Sequence, residues 1–216
     1  MGEVKTTAQP ETEWVFATRN AHKVAELDAM FHSVFGIHVV GLDHFEELPE
    51  IVEDRDSFEG NAIKKAETIA AILGLPVVAD DSGLCVDFLK GAPGVYSARY
   101  AGPEATDQAN NEKLLQALKG VPQEKRGARF VCVLALAIPG KDTKTFRGEC
   151  RGRIAEEPRG KHGFGYDPLF FLPEQGCTMG ELPAEMKNRI SHRSRAVQQL
   201  RDLLKDSLSA EGTTGR

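Results

Sequence analysis

Short apolar runs along the chain alternate with longer segments in which apolar residues recur every three or four positions. The first run, Trp14 to Ala17, predicts a buried strand, and the periodic segment after it predicts a helix that ends at Gly36. Ile37 to Leu42 predicts a second strand. A second helix is expected to begin after Ser57, which is a favourable N-cap residue, and to end before Gly74.

The next apolar run, Val77 to Ala79, leads directly into Asp80 and Asp81. We expect the strand to end at these two carboxylates, and a loop rich in glycine and proline to follow it through Gly94. A third helix is predicted from about Ala105 to Leu118, where leucines recur at helical spacing. The first half of the chain therefore alternates strands with helices.

The second half of the chain is richer in predicted strands. Arg129 to Ile138 and Thr143 to Ile154 flank a Pro139-Gly140 turn, which predicts a long antiparallel hairpin. A glycine-rich loop at residues 160–165 follows, and the last helix is predicted from Ser191 to about Leu208. Strand and helix alternation followed by a hairpin predicts an α/β fold with a mixed sheet whose faces are covered by helices.

Length and composition indicate a single domain. The chain has 216 residues, of which 41% are hydrophobic and 27% charged, as is ordinary for a globular protein. We predict one domain over residues 14–208, with disordered polar tails at residues 1–13 and 209–216. The formal net charge of −5 provides no extended basic surface, so we expect no binding to a nucleic acid polymer.

No apolar run of about 18 residues occurs, and no apolar core of a signal peptide lies near the start, so we expect a cytoplasmic protein without membrane contact. The four cysteines, at positions 85, 132, 150 and 177, form no CxxC pair and lie in apolar or mixed segments. This pattern predicts reduced thiols and argues against a zinc site.

Two adjacent carboxylates at a predicted strand end are the most informative chemical feature of the chain. Carboxylates in this position are suited to metal binding or to acid/base catalysis. Because neighbouring strand side chains point to opposite faces, we expect one of Asp80 and Asp81 to face a cleft while the other fixes the turn. The alternative is an ordinary turn in which both carboxylates, with Ser82, cap backbone N–H groups.

A candidate phosphate site lies where the first strand passes into the first helix. It consists of Thr18, Arg19, Asn20, Ala21, His22 and Lys23. Free N–H groups and the positive dipole end of a helix favour a phosphate there, and Lys23 adds a positive charge. The alternative is that Asn20 is only a helix cap and Lys23 only a solvated lysine.

Cationic groups are concentrated at the start of the last helix, in the segment Ser191-His192-Arg193-Ser194-Arg195. The helix dipole disfavours positive charge in a first turn by up to about 1 kcal/mol each, so a bound anion would relieve the conflict. Lys187 can converge on the same place, and Arg193 can donate two hydrogen bonds to a phosphate or a base carbonyl. The alternative is a surface turn whose cations pair with Glu185 or Asp202.

The segment His162-Gly163-Phe164-Gly165-Tyr166-Asp167-Pro168 combines glycines, two aromatic rings and a carboxylate. It is suited to a pocket in which a planar base stacks on a ring while Asp167 accepts from N–H groups of the base. The alternative is that Phe164 and Tyr166 belong to the core and that Asp167-Pro168 forms a turn.

Glu53 lies in an acidic segment, most of which must be solvated. One carboxylate of this segment can still be a metal ligand, because Mg²⁺ is commonly held by one or two carboxylates and by the phosphates of a substrate. Such a site leaves only scattered acids in a sequence.

Six motifs occur in one order between about Trp14 and Leu208. They are Thr18-x-Asn20-x-x-Lys23, Phe58-x-x-Asn61-Ala62-x-x-Lys65-Ala66, Ala79-Asp80-Asp81-Ser82-Gly83-Leu84, Gly91-Ala92-Pro93-Gly94-Val95-Tyr96-Ser97-Ala98-Arg99-Tyr100, Gly163-Phe164-Gly165-Tyr166-Asp167-Pro168 and Ser191-His192-Arg193. Together they resemble the inosine triphosphate pyrophosphatase family, also called the Ham1-like or non-standard purine nucleotide pyrophosphatases. Each motif alone is weak, whereas six motifs in order are specific.

The resemblance implies an elongated ITPase-like α/β fold, with a long mixed β-sheet flanked by helices, two lobes around a central cleft, and a homodimer. It also implies hydrolysis of ITP, dITP or XTP to the monophosphate and pyrophosphate with Mg²⁺ as cofactor, which removes deaminated purines from the nucleotide pool. By the match of motifs, Asp81 would be the general base that activates water, and Glu53 and Asp81 would hold Mg²⁺.

The resemblance further implies that residues 18–23 and Lys65 hold the triphosphate, that Ser82 contacts the substrate beside the base, and that Phe164 stacks the purine. The other implied substrate-binding residues are Gly165, Tyr166, Asp167, Lys187, His192 and Arg193. Cationic donors near the 6-oxo group of hypoxanthine or xanthine would favour these bases over adenine. Guanine shares the 6-oxo group, so its rejection must depend on the 2-amino position.

Two departures from the family pattern are small. Arg19 stands where many members have glycine, and Gly60 replaces an acid often found at that position; neither removes a residue with an implied role. Two other hypotheses stay open, namely a pyrophosphatase for another nucleotide, such as a modified pyrimidine triphosphate, and a catalytically silent nucleotide-binding module. The presence of Asp81, Glu53 and Lys23 together favours the enzyme.

Overall fold

The computed structural model describes residues 13–211 and the side chains of residues 14–205. The strands are β1 (Glu13–Phe16), β2 (His38–Gly41), β3 (Val77–Val86), β4 (Gly127–Ala137), β5 (Lys144–Ile154), β6 (Phe170–Leu172) and β7 (Cys177–Thr178). The α-helices of the described residues are α1 (Ala21–Phe35), α2 (Phe58–Leu73), α3 (Asp107–Ala117), α4 (Ala184–Ile190) and α5 (His192–Glu211). Short 3₁₀ turns, such as Gly94–Arg99, lie between several of these elements.

Most of the predicted tails, residues 1–12 and 212–216, lie outside the described residues. Glu13 already belongs to β1, and α5 continues to Glu211, three residues beyond its predicted end. Regular structure therefore extends slightly further at both ends than the apolar pattern predicted.

The strands form one mixed sheet in the order β2-β1-β3-β4-β5-β6-β7. β1 is parallel to both β2 and β3, whereas each later pair of neighbours is antiparallel. The predicted hairpin is confirmed, because β4 and β5 pair from Gly127 opposite Arg153 to Leu136 opposite Lys144. The predicted α/β fold with a mixed sheet and flanking helices is likewise confirmed.

The strand that carries the two aspartates is longer than predicted. β3 is continuous from Val77 to Val86, and within it Asp80 and Asp81 pair with Leu134 and Val133 of β4. The prediction that the strand ends in a turn at the aspartates is therefore wrong. Side-chain polarity is a poor guide to a strand end here, because the ladder to β4 and the partners of the buried carboxylates keep the backbone extended.

Helix boundaries follow local signals. α1 begins after Asn20 and α2 after Ser57, and in both cases the side chain accepts hydrogen bonds from N–H groups of the first turn. Both helices end at a glycine in left-handed conformation, Gly36 and Gly74, as predicted. The sequence did not predict α4, which at seven residues is too short for a periodic apolar pattern.

Helices cover both faces of the sheet. α2 contributes Ala62, Ala66 and Ile69 to a buried cluster on one face, while α1 and α5 build a second cluster on the other face. A third cluster, to which Leu114 of α3 and Phe170 of β6 belong, lies towards the other end of the sheet. The middle of β3 is therefore enclosed from both sides.

None of the helices in the described part of the chain is long and apolar enough to span a bilayer. The four cysteines are free thiols, as predicted. Three of them are buried, and burial raises the pKa of the Cys132 thiol to about 12.

The first turn of α5 lies directly against β5 at Gly148. A Cβ atom at this glycine would lie about 2.0 Å from the carbonyl oxygen of His192 and 2.6 Å from the amide nitrogen of Ala196. Both contacts are with backbone, which cannot turn away as a flexible side chain can. Glycine at this position therefore lets α5 approach the sheet.

We expect Gly148→Ala to lower the free energy of unfolding by about 1–3 kcal/mol, because the added methyl group must push the first turn of α5 away from the sheet. Urea denaturation followed by circular dichroism measures the change. Lys144→Ala, at an exposed position of the same strand, is the matched control and should change stability little. Equal stability of Gly148→Ala and the wild-type protein would contradict the proposed close contact.

Candidate functional site

A cleft of about 320 Å³ opens beside the middle of β3. Its walls come from the β1–α1 connection, the segment before α2, α2, β3, the Gly94–Arg99 turn, the start of α3, β4, the loop before β6, α4 and the start of α5. Most of the residues predicted from the sequence line this cleft: Thr18, Asn20, Lys23, Glu53, Lys65, Asp81, Ser82, Phe164, Gly165, Tyr166, Asp167, Lys187, His192 and Arg193. Segments that are far apart in the chain thus meet at one place.

The carboxylate of Asp80 is fully buried and is held by cations on the α1 and α5 side of the sheet. Lys23 Nζ donates to its Oδ1 at 3.0 Å, while Arg193 and the Ser82 hydroxyl donate to its Oδ2, each at 3.0 Å. Burial alone would raise the pKa of Asp80, but Lys23 and Arg193 hold it well below its usual range. Asp80 is therefore an anion that fixes two cations.

Asp81 faces the other side of the sheet, towards α2. Its Oδ2 accepts a hydrogen bond from Asn61 Nδ2 at 2.9 Å, and its Oδ1 accepts from the backbone N–H of Ser82 at 2.9 Å. Burial raises the pKa of Asp81 to about 6, against the opposing charge of Lys65 and with an added contribution from the Glu53 carboxylate. The prediction that the two aspartates have different surroundings is confirmed, although neither forms a turn.

We call Glu53, Lys65 and Asp81 the acidic end of the cleft. Lys65 of α2 donates a hydrogen bond to Glu53 Oε1. Arg99 lies 3.6 Å from Glu53 Oε2 and also donates to the backbone carbonyl of Glu53 at 3.0 Å. Despite burial, the charge of Lys65 lowers the pKa of Glu53, so this pair places opposite charges side by side at the cleft wall.

Half of the predicted phosphate segment lines the cleft, namely Thr18, Asn20 and Lys23. Asn20 also caps α1, because its side chain accepts from the N–H groups of His22 and Lys23 at 3.0 and 3.2 Å. Asn20 is therefore a helix cap, but it is not only that, because it also lines the cleft. Lys23, in contrast, is not a solvated lysine, since it is paired with the buried Asp80.

The other half of the segment does not line the cleft. Arg19 turns away from it and donates to Asp43 at 3.2 Å. Ala21 and His22 are exposed on the first turn of α1, where the His22 ring stacks on Phe164 with ring centroids 5.5 Å apart. Of these three residues, only His22 therefore contacts a residue of the cleft through its ring.

Two buried cations from different helices share one carboxylate of α1. Lys187 of α4 lies 2.6 Å from Glu26 Oε1, and Arg193 of α5 donates to Glu26 Oε2. Arg193 also donates to Asp80, and Lys187 also donates to Asp167. Glu26 thus joins the carboxylate beneath the cleft to the segment predicted as a base pocket.

The first turn of α5 is buried, so the alternative of a surface turn paired with Glu185 or Asp202 is wrong. Only 1% of Arg193 is exposed. His192 stacks on Phe130 with ring centroids 4.9 Å apart, and burial together with the charge of Arg193 lowers the pKa of His192 well below its usual value. His192 is therefore neutral, and the turn carries fewer buried charges than the sequence predicted.

The alternative to the predicted base pocket is correct for Tyr166 but not for Phe164, and the base pocket itself stays a prediction. Tyr166 belongs to the core, as the alternative held, and its hydroxyl donates to the carbonyl of Ser97 at 2.8 Å. Asp167 is also buried, where it accepts from the N–H of Phe164 at 2.9 Å and pairs with Lys187. The ring of Phe164 lines the cleft, 4.6 Å from Lys187 Nζ. Phe164 thus presents an aromatic ring at the wall of the cleft.

The acidic end of the cleft suits a metal that takes most of its ligands from substrate and water. Within residues 13–211, no group of three or more His, Cys, Asp or Glu side chains is arranged to hold a metal. Glu53 and Asp81 both line the cleft and are close enough to interact electrostatically. Two carboxylates fit Mg²⁺, which keeps several waters and binds phosphates, better than Zn²⁺, which prefers a tetrahedral set of protein ligands.

Several residues with clear contacts at the site were given no role from the sequence: Glu26, Asn61, Arg99, Asp107 and Asn110. Asp80 was expected only to face the cleft or to fix a turn, not to hold two cations. Glu26 lies three positions after Lys23, so helical spacing could have indicated that both share one face of α1. Asn61 and Arg99 lie inside motifs that were recognised without assigning them a function. The role of Asp80 was missed because its cationic partners come from distant parts of the chain.

Comparison with known proteins identifies close relatives. The sequence model of the Ham1 family matches residues 14–203. The dITP/XTP pyrophosphatase of Shouchella clausii is 54% identical over 192 residues, which cover 89% of this chain and 96% of the relative. The dITP/XTP pyrophosphatase of Geobacter sulfurreducens is 52% identical over 201 residues, which cover 93% and 98% of the two chains.

Solved structures give the same result for the fold. The Ham1 protein of Staphylococcus aureus superimposes with a TM-score of 0.80 at 41% identity, covering 91% of this chain and all of the other. A HAM1 protein from Coxiella burnetii also gives a TM-score of 0.80 at 41% identity, covering 90% of this chain and 99% of the other. At 41% identity, this chain is similar to both proteins in sequence as well as in fold.

We expect Asp80→Asn to lower the free energy of unfolding by about 3–5 kcal/mol, because it leaves the buried charges of Lys23 and Arg193 without their shared anion. Thermal and urea unfolding measure the loss. Asp43→Asn is the matched control: it breaks an exposed pair with Arg19 and should have little effect. A similarly small effect of both substitutions would show that Asp80 is not the anchor of these cations.

Proposed function

This chain belongs to the Ham1 family, and we propose that it is a nucleoside triphosphate pyrophosphatase that hydrolyses ITP, dITP and XTP to the monophosphate and pyrophosphate. The observation that carries the proposal is that one cleft is lined by lysines, by the neighbouring carboxylates of Glu53 and Asp81, and by the ring of Phe164 beside the buried cation of Lys187. A triphosphate, a hydrolytic water and a planar base need these three kinds of group. The reaction removes deaminated purines from the nucleotide pool.

The triphosphate would lie between the start of α1 and α2. The exposed first turn of α1 offers N–H groups at the positive end of a helix dipole, although Asn20 already occupies two of them. Lys23 and Lys65 both line the cleft and would neutralise charge that develops on the leaving pyrophosphate. Both lysines are already paired with carboxylates, so the substrate would join existing ion pairs rather than meet isolated charges.

Asp81 would be the general base for a water that attacks the α-phosphorus. Its Oδ2 is oriented by Asn61, and its carboxylate lines the cleft beside Lys65 and Glu53. Glu53 and Asp81 would hold Mg²⁺ together with the phosphates of the substrate. The bound metal would supply neutralisation of phosphate charge and orientation of the reacting group.

Selection of the base would depend on donors near the Phe164 ring. Lys187 Nζ lies 4.6 Å from the centre of this ring. Arg193 is linked to Lys187 because both side chains pair with Glu26. Positively charged donors favour the 6-oxo group of hypoxanthine or xanthine over the amino group of adenine, because a mismatched buried donor would lose its hydrogen bond. His192, neutral and with an unpartnered Nδ1 among the described residues, can accept or donate as the bound base requires.

We also propose that the protein acts in the cytoplasm as a homodimer. The four free thiols agree with a reducing compartment. Three large apolar side chains, Val52, Phe88 and Tyr96, are exposed at 66%, 50% and 57%, which supports an additional contact surface.

Pyrophosphate release from ITP, dITP, XTP, ATP and GTP at equal concentration, with Mg²⁺ and with EDTA, tests the proposed function. We expect release from the first three nucleotides that depends on Mg²⁺, and little release from ATP or GTP. Binding of nucleotide without release would favour the silent nucleotide-binding module. Preference for a modified pyrimidine triphosphate, added to the same panel, would favour the other pyrophosphatase hypothesis.

We expect Asp81→Asn to lower kcat for ITP by about 10²–10⁴-fold, because the amide cannot take a proton from water. Binding of ITP, measured by calorimetry, should be largely retained. Asp56→Asn, at an exposed carboxylate of the same acidic region, is the control and should keep the wild-type rate. A wild-type rate for Asp81→Asn would remove Asp81 from the mechanism.

A further inference from the structure

Side chains of α3 hold the backbone on the C-terminal side of Phe164. We call residues 163–167 the base loop. Asp107 Oδ2 accepts a hydrogen bond from the N–H of Gly165 at 2.6 Å, and Asn111 Nδ2 donates to the carbonyl of the same glycine at 2.9 Å. Positions 107 and 111 are one helical turn apart, so both side chains reach Gly165 from one face of α3. Both polar backbone groups of Gly165 are thereby fixed.

The base loop needs such support because its backbone is intrinsically free. It contains no strand or helix, and Phe164 stands between Gly163 and Gly165, which have φ angles of +75° and +62°. Glycine adopts these left-handed angles easily, but it also loses the most conformational entropy when it is ordered. The position of the Phe164 ring therefore depends on how firmly the peptide groups on either side of it are held.

The support on the N-terminal side of Phe164 differs from the support by α3. There, Asp167 accepts from the N–H of Phe164, but Asp167 is also paired with Lys187, which lies against the Phe164 ring. This support is therefore coupled to Lys187, the cation that a ligand stacked on the ring would also meet. The hydrogen bonds that join Asp107 and Asn111 to Gly165 involve no residue of that ion-pair network.

α3 is itself anchored firmly enough to act as a support. Asn110 is buried, and its side chain accepts from the N–H of Ala101 at 2.7 Å and donates to the carbonyl of Ala98 at 3.1 Å. Leu114, one turn further along, is completely buried in the core cluster that includes Tyr166. One face of α3 is thus attached to the cleft wall while Asp107 and Asn111 extend to the base loop.

We propose that Asp107 and Asn111 are positioning residues that order the base loop before the nucleotide binds and so set the affinity of the cleft for the purine base. The inference rests on the proposed function, in which Phe164 stacks that base. A loop that is ordered in advance does not lose its conformational entropy at the moment of binding. Asn111 is the cleaner probe of the two, because it is not among the residues that line the cleft, whereas the carboxylate of Asp107 also stands at the cleft wall. The printed hydrogen bonds of both residues go to Gly165 and not to Lys23, Lys65, Glu53 or Asp81, so the effect of Asn111 should concern the base.

The test compares a ligand that has a base with one that has none. Asn111→Ala and Asp107→Ala should each raise KM for ITP about tenfold, the size expected for one hydrogen bond that orders a binding loop, with a much smaller change in kcat. In Asn111→Ala, the inhibition constant of inorganic tripolyphosphate, which carries no base, should stay at the wild-type value. Thermal unfolding of each variant verifies that it is folded.

Glu112→Ala is the matched control on the same helix. Its side chain accepts from Gln108 at 2.8 Å on the exposed face of α3 and does not reach the base loop, so both constants should stay at their wild-type values. Asn111→Ala removes no charge from α3. It therefore separates the loss of the loop contact from the loss of the favourable Asp107 charge in the first helical turn.

A wild-type KM for ITP in both folded variants would overturn the inference while leaving the proposed function intact. Equal weakening of ITP and tripolyphosphate would also overturn it, because α3 would then support the cleft as a whole rather than the base loop. Failure of the wild-type protein to bind or hydrolyse any purine triphosphate would overturn the proposed function, and this inference with it. Weakening of ITP alone supports both.

Discussion

The structure depends on one constraint, which is the burial of two neighbouring carboxylates in the middle of β3. A buried carboxylate is tolerated only when cations or hydrogen-bond donors surround it. Because strand side chains alternate, Asp80 and Asp81 need partners on opposite faces of the sheet. Lys23 and Arg193 meet this need from α1 and α5, and Asn61 meets it from α2. Three helices are thereby fixed around one point, and the cleft forms where they meet.

A continuous ion-pair network carries this constraint to the base loop. Asp80 binds Arg193, Arg193 binds Glu26, Glu26 binds Lys187, and Lys187 binds Asp167. Each charge in the network has at least one partner of opposite sign, so removal of one member leaves its buried partners without a counter-charge. Substitutions within it should therefore be strongly non-additive. Buried ion pairs contribute little net stability but fix relative positions, which is what recognition of a base requires.

Local signals account for the parts of the fold that could be predicted. Asn20 and Ser57 begin helices because their side chains satisfy free N–H groups, and Gly36 ends one because it adopts a left-handed backbone at little cost. The β4–β5 hairpin was predictable from apolar residues on both sides of the Pro139-Gly140 turn. These signals act between residues near one another in the chain. They failed for the aspartates of β3, whose extended backbone is stabilised by partners far away in the sequence.

Residue type and local spacing were enough to predict which chemical groups are present and most of the strands and helices that carry them, although not the short helix α4. The order of the motifs also indicated the family. Which of these groups meet became clear only from the folded chain. It turned Arg19 away from the cleft, buried Arg193 instead of leaving it on a surface turn, and made Glu26 the link between two helices. Such outcomes depend on the alternation of side chains along β3 and on the close approach of α5 to the sheet at Gly148. The spacing of neighbouring residues in the chain does not encode how far apart two side chains lie across a sheet, or how deeply each is buried.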